Sequence, residues 1–276
     1  MNGSKAIAVA AVVLAWGCQA APPAAVEAPA AAAAVGFDLS AAKLVDLSWP
    51  LGKDTLFWPT ATEAFELDVV SAGATPGGWF YAANTFKAPE HGGTHLDAPY
   101  HFHETGQTAD QIPLTSLIAP AVVIDVAASA ELDADLTLTV EHVSAWELAH
   151  GRVPKGAMVL LRTGWSSRWP DRLRYFGSDE IGTADDLHFP SFGVEAVRLL
   201  IEERGVVALG VDTASIDPGN SKDFPVHRLA GAANVPGLEN LRSLDQLPAK
   251  GAWVAALPLS IEGGSGAPAR VVAFVP

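Results

Sequence analysis

Ser191-Phe192-Gly193-Val194-Glu195-Ala196-Val197-Arg198-Leu199-Leu200-Ile201-Glu202-Glu203-Arg204-Gly205-Val206-Val207-Ala208-Leu209-Gly210-Val211 reads as one helix followed by one strand. Val194, Val197, Leu200 and Ile201 recur at three- and four-residue spacing and share a helix face. Ser191 is placed to cap the start, and Gly205 ends the helix. The run Val206 to Val211 is apolar throughout, as a strand buried on both faces must be. A second pair of the same kind lies upstream, where the amphipathic segment Val140 to His150 precedes the run Met158 to Arg162. Helix-then-strand units repeated in this way indicate an α/β fold. Five further β-rich runs stand between turn signals: Leu44 to Leu47, Phe65 to Val70, Ala121 to Val126, Trp253 to Leu257 and Val271 to Val275. They read as buried strands and make the fold β-rich.

Composition narrows the function classes. The 276 residues carry 31 Asp+Glu against 17 Lys+Arg, a formal net charge of −14, which excludes the clustered basic surface that nucleic acid requires. A hydrophobic fraction of 49% with only 17% charged residues supplies one large core. The single cysteine, Cys18, forms no internal disulfide and no thiolate cage, so any metal must rest on His and carboxylates. No GxGxxG, GxxxxGK[ST] or GxSxG pattern occurs, which removes the main support for nucleotide-loop and serine-hydrolase readings.

Residues 1–18 have the layout of a secretory signal: Lys5, the apolar run Ala6 to Trp16, then Gly17 and Cys18. Eleven apolar residues are too few to span a bilayer. A small residue directly before Cys18 indicates a bacterial lipoprotein signal, with lipidation of the Cys18 thiol; the alternative is a plain signal or an uncleaved anchor. The Ala/Pro-rich stretch 19–36 has no large side chain to bury and reads as a tether. The folded domain is then 37–276, in a protein expected to be exported to the periplasm and to meet the membrane only through its N-terminal lipid or signal anchor.

The chemistry gathers in two clusters. His91-Gly92-Gly93-Thr94-His95-Leu96-Asp97-Ala98-Pro99-Tyr100-His101-Phe102-His103 holds four of the eight histidines. Gly92, Gly93 and Pro99 oppose a continuous helix, so a turn into a short strand is expected. His95 and Asp97, two apart, then point to one side, and the glycines let His91 fold back toward them. Two imidazoles and a carboxylate form a ligand set for Zn²⁺ or Mn²⁺, with His101 near enough to act on a bound water. His103, beside Glu104 and Gly106, needs only a solvated role. The second cluster runs Gly210 to Gly219, then Phe224-Pro225-Val226-His227 and Leu238-Glu239-Asn240. Polar residues directly after a buried strand are where open α/β sheets place their sites. His227 and Glu239 are candidates to complete a metal site, although each alone has an ordinary structural role as helix-start hydrogen-bonder or solvated carboxylate.

These positions resemble the metal-dependent cyclase-like hydrolase family, which includes bacterial kynurenine formamidases and isatin hydrolases. The most specific element is His-x-Gly-Thr-His-x-Asp-Ala-Pro-x-His-Phe, met by His91 through Phe102. Trp58-Pro59, Leu161 to Trp165, Gly210 to Gly219, Leu257-Pro258-Leu259 and Gly263-Gly264-Ser265-Gly266 support it in order, so the resemblance spans Leu44 to Val275. It implies a β-rich α/β single domain of swivelling β/β/α type, a mixed sheet with flanking helices. It implies a first metal on His91, His95 and Asp97 and a second on Asp97, His227 and Glu239, hence two divalent ions, Zn or Mn, per subunit. His101 falls on the family's catalytic acid/base, and Trp58 on a tryptophan lining the substrate pocket, where an indole can stack on a planar ring. A homodimer or higher oligomer is also implied.

The activity expected is hydrolysis of an amide, formamide or lactam C–N bond of a small aromatic or cyclic substrate, with water activated by the metal. The alternatives are a non-catalytic periplasmic metal- or ligand-binding lipoprotein and a metal-dependent lyase or cyclase. Trp79, Phe80, Tyr81 and Phe86 serve either as further pocket wall or as packing and dimer contacts. His188-Phe189-Pro190 is a candidate rim element, and His142 and His150 are expected to be bystanders in a helix.

Overall fold

In chain order the strands of the computed structural model are β1 (Lys43–Asp46), β2 (Glu66–Ala74), β3 (Phe80–Lys87), β4 (His95–Asp97), β5 (Ile118–Asp125), β6 (Thr137–Leu138), β7 (Met158–Arg162), β8 (Ser191–Phe192), β9 (Ala208–Val211), β10 (Gly237–Glu239), β11 (Lys250–Pro258) and β12 (Gly266–Val275). The structure describes residues 41–276. The expected signal segment 1–18 with Cys18, the tether 19–36 and the first residues of the 37–276 domain lie outside the described residues.

The apolar runs around residues 121, 158 and 208 become the parallel centre of the sheet, with β7 between β5 and β9. Strand β10 extends it in parallel beside β9, antiparallel β11 and β4 flank the parallel set, and the order β1-β12-β11-β5-β7-β9-β10-β4 makes a mixed sheet, as expected. The N-terminal end of β12 pairs with β4 at Gly266↔Asp97, so the sheet closes on itself into a barrel-like ring. Alternation along each strand divides the core in two. Met158 and Leu160 face inward with Leu96, Leu238, Val254 and Val271, while Val159 and Leu161 face outward. The outward set is covered by Val143 and Trp146 of the helix Val140–His150, by Val197 and Leu200, and by Val226 and Ala230 of the helix Pro225–Ala232. Burial on both faces is why these strands show no polar alternation in the sequence. Gly210 is fixed by this packing, since a Cβ there would stand 2.6 Å from Leu160 Cδ2.

Two readings of the local sequence are corrected. Ser191 does not cap the helix: it pairs in β8 against β6, and its hydroxyl donates to the Ser215 carbonyl at 2.6 Å. The helix starts after Gly193 as Val194–Arg198, continues through a wider π turn over Leu199–Arg204 and ends at Gly205 with φ of 66°. The run Phe65 to Val70 does become part of a strand, but not a buried one. Among the described residues the β2–β3 hairpin pairs only with itself, and Leu67, Val69, Val70, Phe80, Tyr81 and Phe86 are exposed.

Candidate active site

Strand β4 puts His95 and Asp97 on one side and Leu96, fully buried, in the barrel interior on the other. In the antiparallel register Glu239 of β10 lies directly beside His95. His91 precedes β4 in a turn held by the Phe57–Gly92 bridge, where a Cβ on Gly92 would stand 2.0 Å from the Phe57 ring and Gly93 has φ of 59°. His227 sits in the first turn of the helix Pro225–Ala232, whose leading N–H groups at Val226 and His227 donate to the Asp217 carboxylate at 2.9 Å each. The structure therefore brings His91, His95, Asp97, His227 and Glu239 together, with the His101 ring stacked on His91 at 3.9 Å.

Hydrogen bonding decides how the imidazoles face. His95 Nδ1–H donates to the Gly93 carbonyl at 2.9 Å, so Nε2 points inward, 3.1 Å from Asp97 Oδ1 and 3.4 Å from Glu239 Oε2. That Nε2 is buried without a hydrogen-bond partner. His227 Nδ1–H donates to Asp217 Oδ2 at 2.7 Å, leaving Nε2 3.0 Å from Asp97 Oδ2 and 3.2 Å from Glu239 Oε1. His91 Nδ1 lies 2.6 Å from Asp97 Oδ1, with its Nε2 2.8 Å from Ser265 Oγ. Three imidazole nitrogens thus converge on two carboxylates in a buried space. That arrangement is stable only if cations, protons or a metal, lie among them.

The electrostatics agree. Burial works against ionised Asp97, yet the charges of His91 and His95 and hydrogen bonds from His227 and His91 hold it well below the usual carboxylate range. His95 is penalised by burial, but Asp97 and Glu239 raise it to about 9. His227 is likewise raised, against burial, by Asp217, Asp97 and Glu239. Burial pushes Glu239 up, and Asp97 adds to it. His101 is lowered to about 4 by desolvation, reinforced by the neighbouring His91, His227 and His95 against the attraction of Asp97. The orphaned His95 nitrogen, the inward lone pairs and the oxygen donors together fit a divalent metal. Two overlapping donor groups, His91/Asp97/His101 and His95/Asp97/Glu239, have ligand atoms within 4.8 Å of one another.

Above these groups opens a cavity of about 310 Å³ walled by Leu56, Phe57, Trp58, Phe102, Phe176 and Phe224. Trp58 lies edge-on to Phe189 at 6.5 Å and to Phe224 at 6.1 Å. Phe224 has φ of 49°, a strained conformation for a bulky residue, and its ring lies 5.1 Å from Phe102. Trp79, Phe80, Tyr81 and Phe86 do not line this cavity, which corrects the pocket-wall reading: they belong to or adjoin the exposed hairpin. His188 pairs with Asp135 at 2.9 Å instead of forming a rim, while Phe189 is buried beneath Trp58. His142 Nδ1 accepts from Thr139 N at the start of its helix, and the His150 ring lies tilted against Trp146 at 5.0 Å; neither lines the cavity. His103 Nε2 lies 3.2 Å from Thr105 Oγ1. Glu90, Ser265, Phe102 and Phe224 carry no individual signature in the sequence, and Asp217 is marked only by the Asp-Pro-Gly turn after a buried strand. Asp212 is buried behind the site, and accepts from Thr163 N and Oγ1 and from Gly164 N, locking the turn after β7.

The Cyclase family model matches residues 45–218. Isatin hydrolase of Roseibium aggregatum is 38% identical over 208 residues, covering 72% of this chain and 77% of that protein. Kynurenine formamidase of Salinibacter ruber is 29% identical over 240 residues, covering 83% and 96%. Among solved structures, isatin hydrolase A from Ralstonia solanacearum superposes with a TM-score of 0.78 at 38% identity, over 89% of this chain and all of that one. An isatin hydrolase bound to the product analogue thioisatinate gives 0.77 at 34%, over 86% and 94%. With that family match, the relatives and the convergent histidine and carboxylate cluster, the chain belongs to the Cyclase family, the cyclase-like metal-dependent hydrolases.

Proposed function

We propose that the protein hydrolyses an amide, formamide or lactam C–N bond of a small aromatic or cyclic substrate, with His91, His95 and Asp97 holding one divalent metal and Asp97, His227 and Glu239 a second, Zn or Mn. The observation that carries this reading is the aim of three imidazole nitrogens at two buried carboxylates beneath an aromatic cavity. Relatives that hydrolyse isatin or formylated kynurenine support the bond type. A bound divalent metal supplies a Lewis acid for the scissile carbonyl and lowers the pKa of water from 15.7 to about 7. The chain's own groups do the rest. Trp58 and Phe224 offer ring faces and edges to a planar substrate, and the apolar wall excludes bulk water. His101, on the cavity wall, takes the proton of the attacking water and returns it to the leaving nitrogen. A binding protein needs no such proton carrier, and a lyase adds no water; the hydrolase reading uses every group of the cluster.

The test is metal content of the purified protein, then turnover of isatin and N-formylkynurenine before and after chelation. We expect stoichiometric metal and a loss of about 100-fold or more on chelation, reversed by Zn²⁺ or Mn²⁺. Turnover indifferent to chelator would end the metal reading, and bound metal without turnover of either compound would favour the binding protein.

The same reading takes residues 37–276 as the catalytic domain of a periplasmic lipoprotein, supported by the Lys5, apolar run and Cys18 pattern, with 19–36 as its tether. It also takes the protein as a homodimer or higher oligomer. A two-stranded hairpin is marginal in water, and the apolar side chains of β2–β3 left exposed among the described residues support its burial against a second copy. Replacing Phe80 and Phe86, two residues on one face of β3, with Ser should shift the mass seen by light scattering from dimer toward monomer. An unchanged dimer would remove the hairpin from the interface.

A further inference from the structure

His91 is the most exposed of the three inward-facing imidazoles, with 24% of its side chain accessible against 3% for His95 and 7% for His227. His95 is steadied by a backbone carbonyl and His227 by a buried carboxylate. The outer nitrogen of His91 meets something different. Its Nε2 lies 2.8 Å from Ser265 Oγ, and Ser265 donates both its hydroxyl, at 2.6 Å, and its backbone N–H, at 3.0 Å, to Glu90 Oε2. A serine hydroxyl carries one proton, and here it goes to the carboxylate. Ser265 Oγ therefore accepts from His91 Nε2–H, and Nδ1 faces the site 2.6 Å from Asp97 Oδ1, where it shares a proton with the carboxylate and would offer its lone pair to a metal in that proton's place. The His91 ring also lies so close to Gly266 that a Cβ there would stand 2.6 Å from Cε1. Gly266 is the first residue of β12 and pairs with Asp97, so the contact that closes the barrel also delivers the serine.

We propose that Ser265 and Glu90 are positioning residues that hold His91 in its metal-ligating tautomer and orientation through the chain Glu90–Ser265–His91. This rests on the metal reading above. A partner that orients a ligating histidine raises metal affinity by about 10- to 100-fold. The test is Co²⁺ binding by the full protein, followed by its visible ligand-field absorption and by competition with a chelator. Ser265→Ala and Glu90→Ala should each weaken binding by about 10- to 100-fold and alter the spectrum, with the double variant no weaker than Ser265→Ala because both act through one chain. Glu90→Gln keeps an acceptor for the serine and should restore affinity to within about threefold of wild type. Affinity of Ser265→Ala equal to wild type, or Glu90→Gln falling as far as Glu90→Ala, would overturn the proposal while leaving the metal reading intact. A wild-type protein that takes up no Co²⁺ would overturn both.

Discussion

Asp97→Ala is expected to remove bound metal and turnover together. Its carboxylate is the hub of the cluster: Oδ1 lies 2.6 Å from His91 Nδ1 and 3.1 Å from His95 Nε2, and Oδ2 lies 3.0 Å from His227 Nε2. Without it the inward nitrogens keep only Glu239, a carboxylate that burial disposes toward its neutral form. Losing Lewis-acid stabilisation of about 4 kcal/mol corresponds to roughly a 10³-fold fall in kcat/KM. Elemental analysis and steady-state rates on the same preparation check both halves, with circular dichroism to establish that the variant is folded. A folded Asp97→Ala protein with full metal and full activity would refute the assignment of this residue.

His101→Ala should separate the two quantities. Among the described residues the His101 ring has no hydrogen-bond partner; it stacks on His91 at 3.9 Å, meets Phe102 edge-on at 4.5 Å and faces the cavity. Removing it leaves no buried donor or acceptor unpaired, so the fold and the metal should be retained. Loss of a general acid–base costs about 10²- to 10⁴-fold in kcat. His101 also lies with His91 and Asp97 in one of the two potential donor groups, which gives the experiment a second edge. If His101→Ala loses metal as Asp97→Ala does, the residue is a ligand and the proton carrier must be sought elsewhere.

The parts of the site readable in the sequence are those whose geometry is local. A strand side chain recurs on the same side every second residue, so His95 and Asp97 had to share a face with Leu96 opposite. The glycine pair before them marked a turn, and His91 folds back through it. His227 and Glu239 differ: their place after a buried strand makes them candidates beside the first cluster, and the resemblance to known hydrolases is what joins them to Asp97 in one metal site. The supporting residues left no signature. Glu90 and Ser265 are 175 positions apart, and Thr94, which accepts from Trp49 N and donates to the Asn240 carbonyl, joins segments 45 and 146 positions away. No periodicity encodes such pairs.

Burial shows the same division. The central strands are legible because a segment covered on both faces must be apolar throughout, and Met158 to Leu161 is so placed. The run Phe65 to Val70 has a similar character, yet no layer of the described chain covers β2 and β3. Apolar composition states that a segment gains by leaving water, not which surface receives it. Ser191 failed as a helix cap for a related reason, since a hydroxyl satisfies whichever acceptor the fold brings to it, and here that is the Ser215 carbonyl.

By itself, then, the sequence determined the local geometry: the apolar strands, the helix stop at Gly205, and the alternation that sets His95 beside Asp97. Tertiary structure alone decided the closure of β12 onto β4, the outer partners that turn each imidazole inward, and the exposure of the hairpin. The physical reason is range. Backbone sterics and side-chain periodicity act within a few residues, whereas a hydrogen bond or a packed ring depends on which distant segment the closed sheet carries to within a few ångströms.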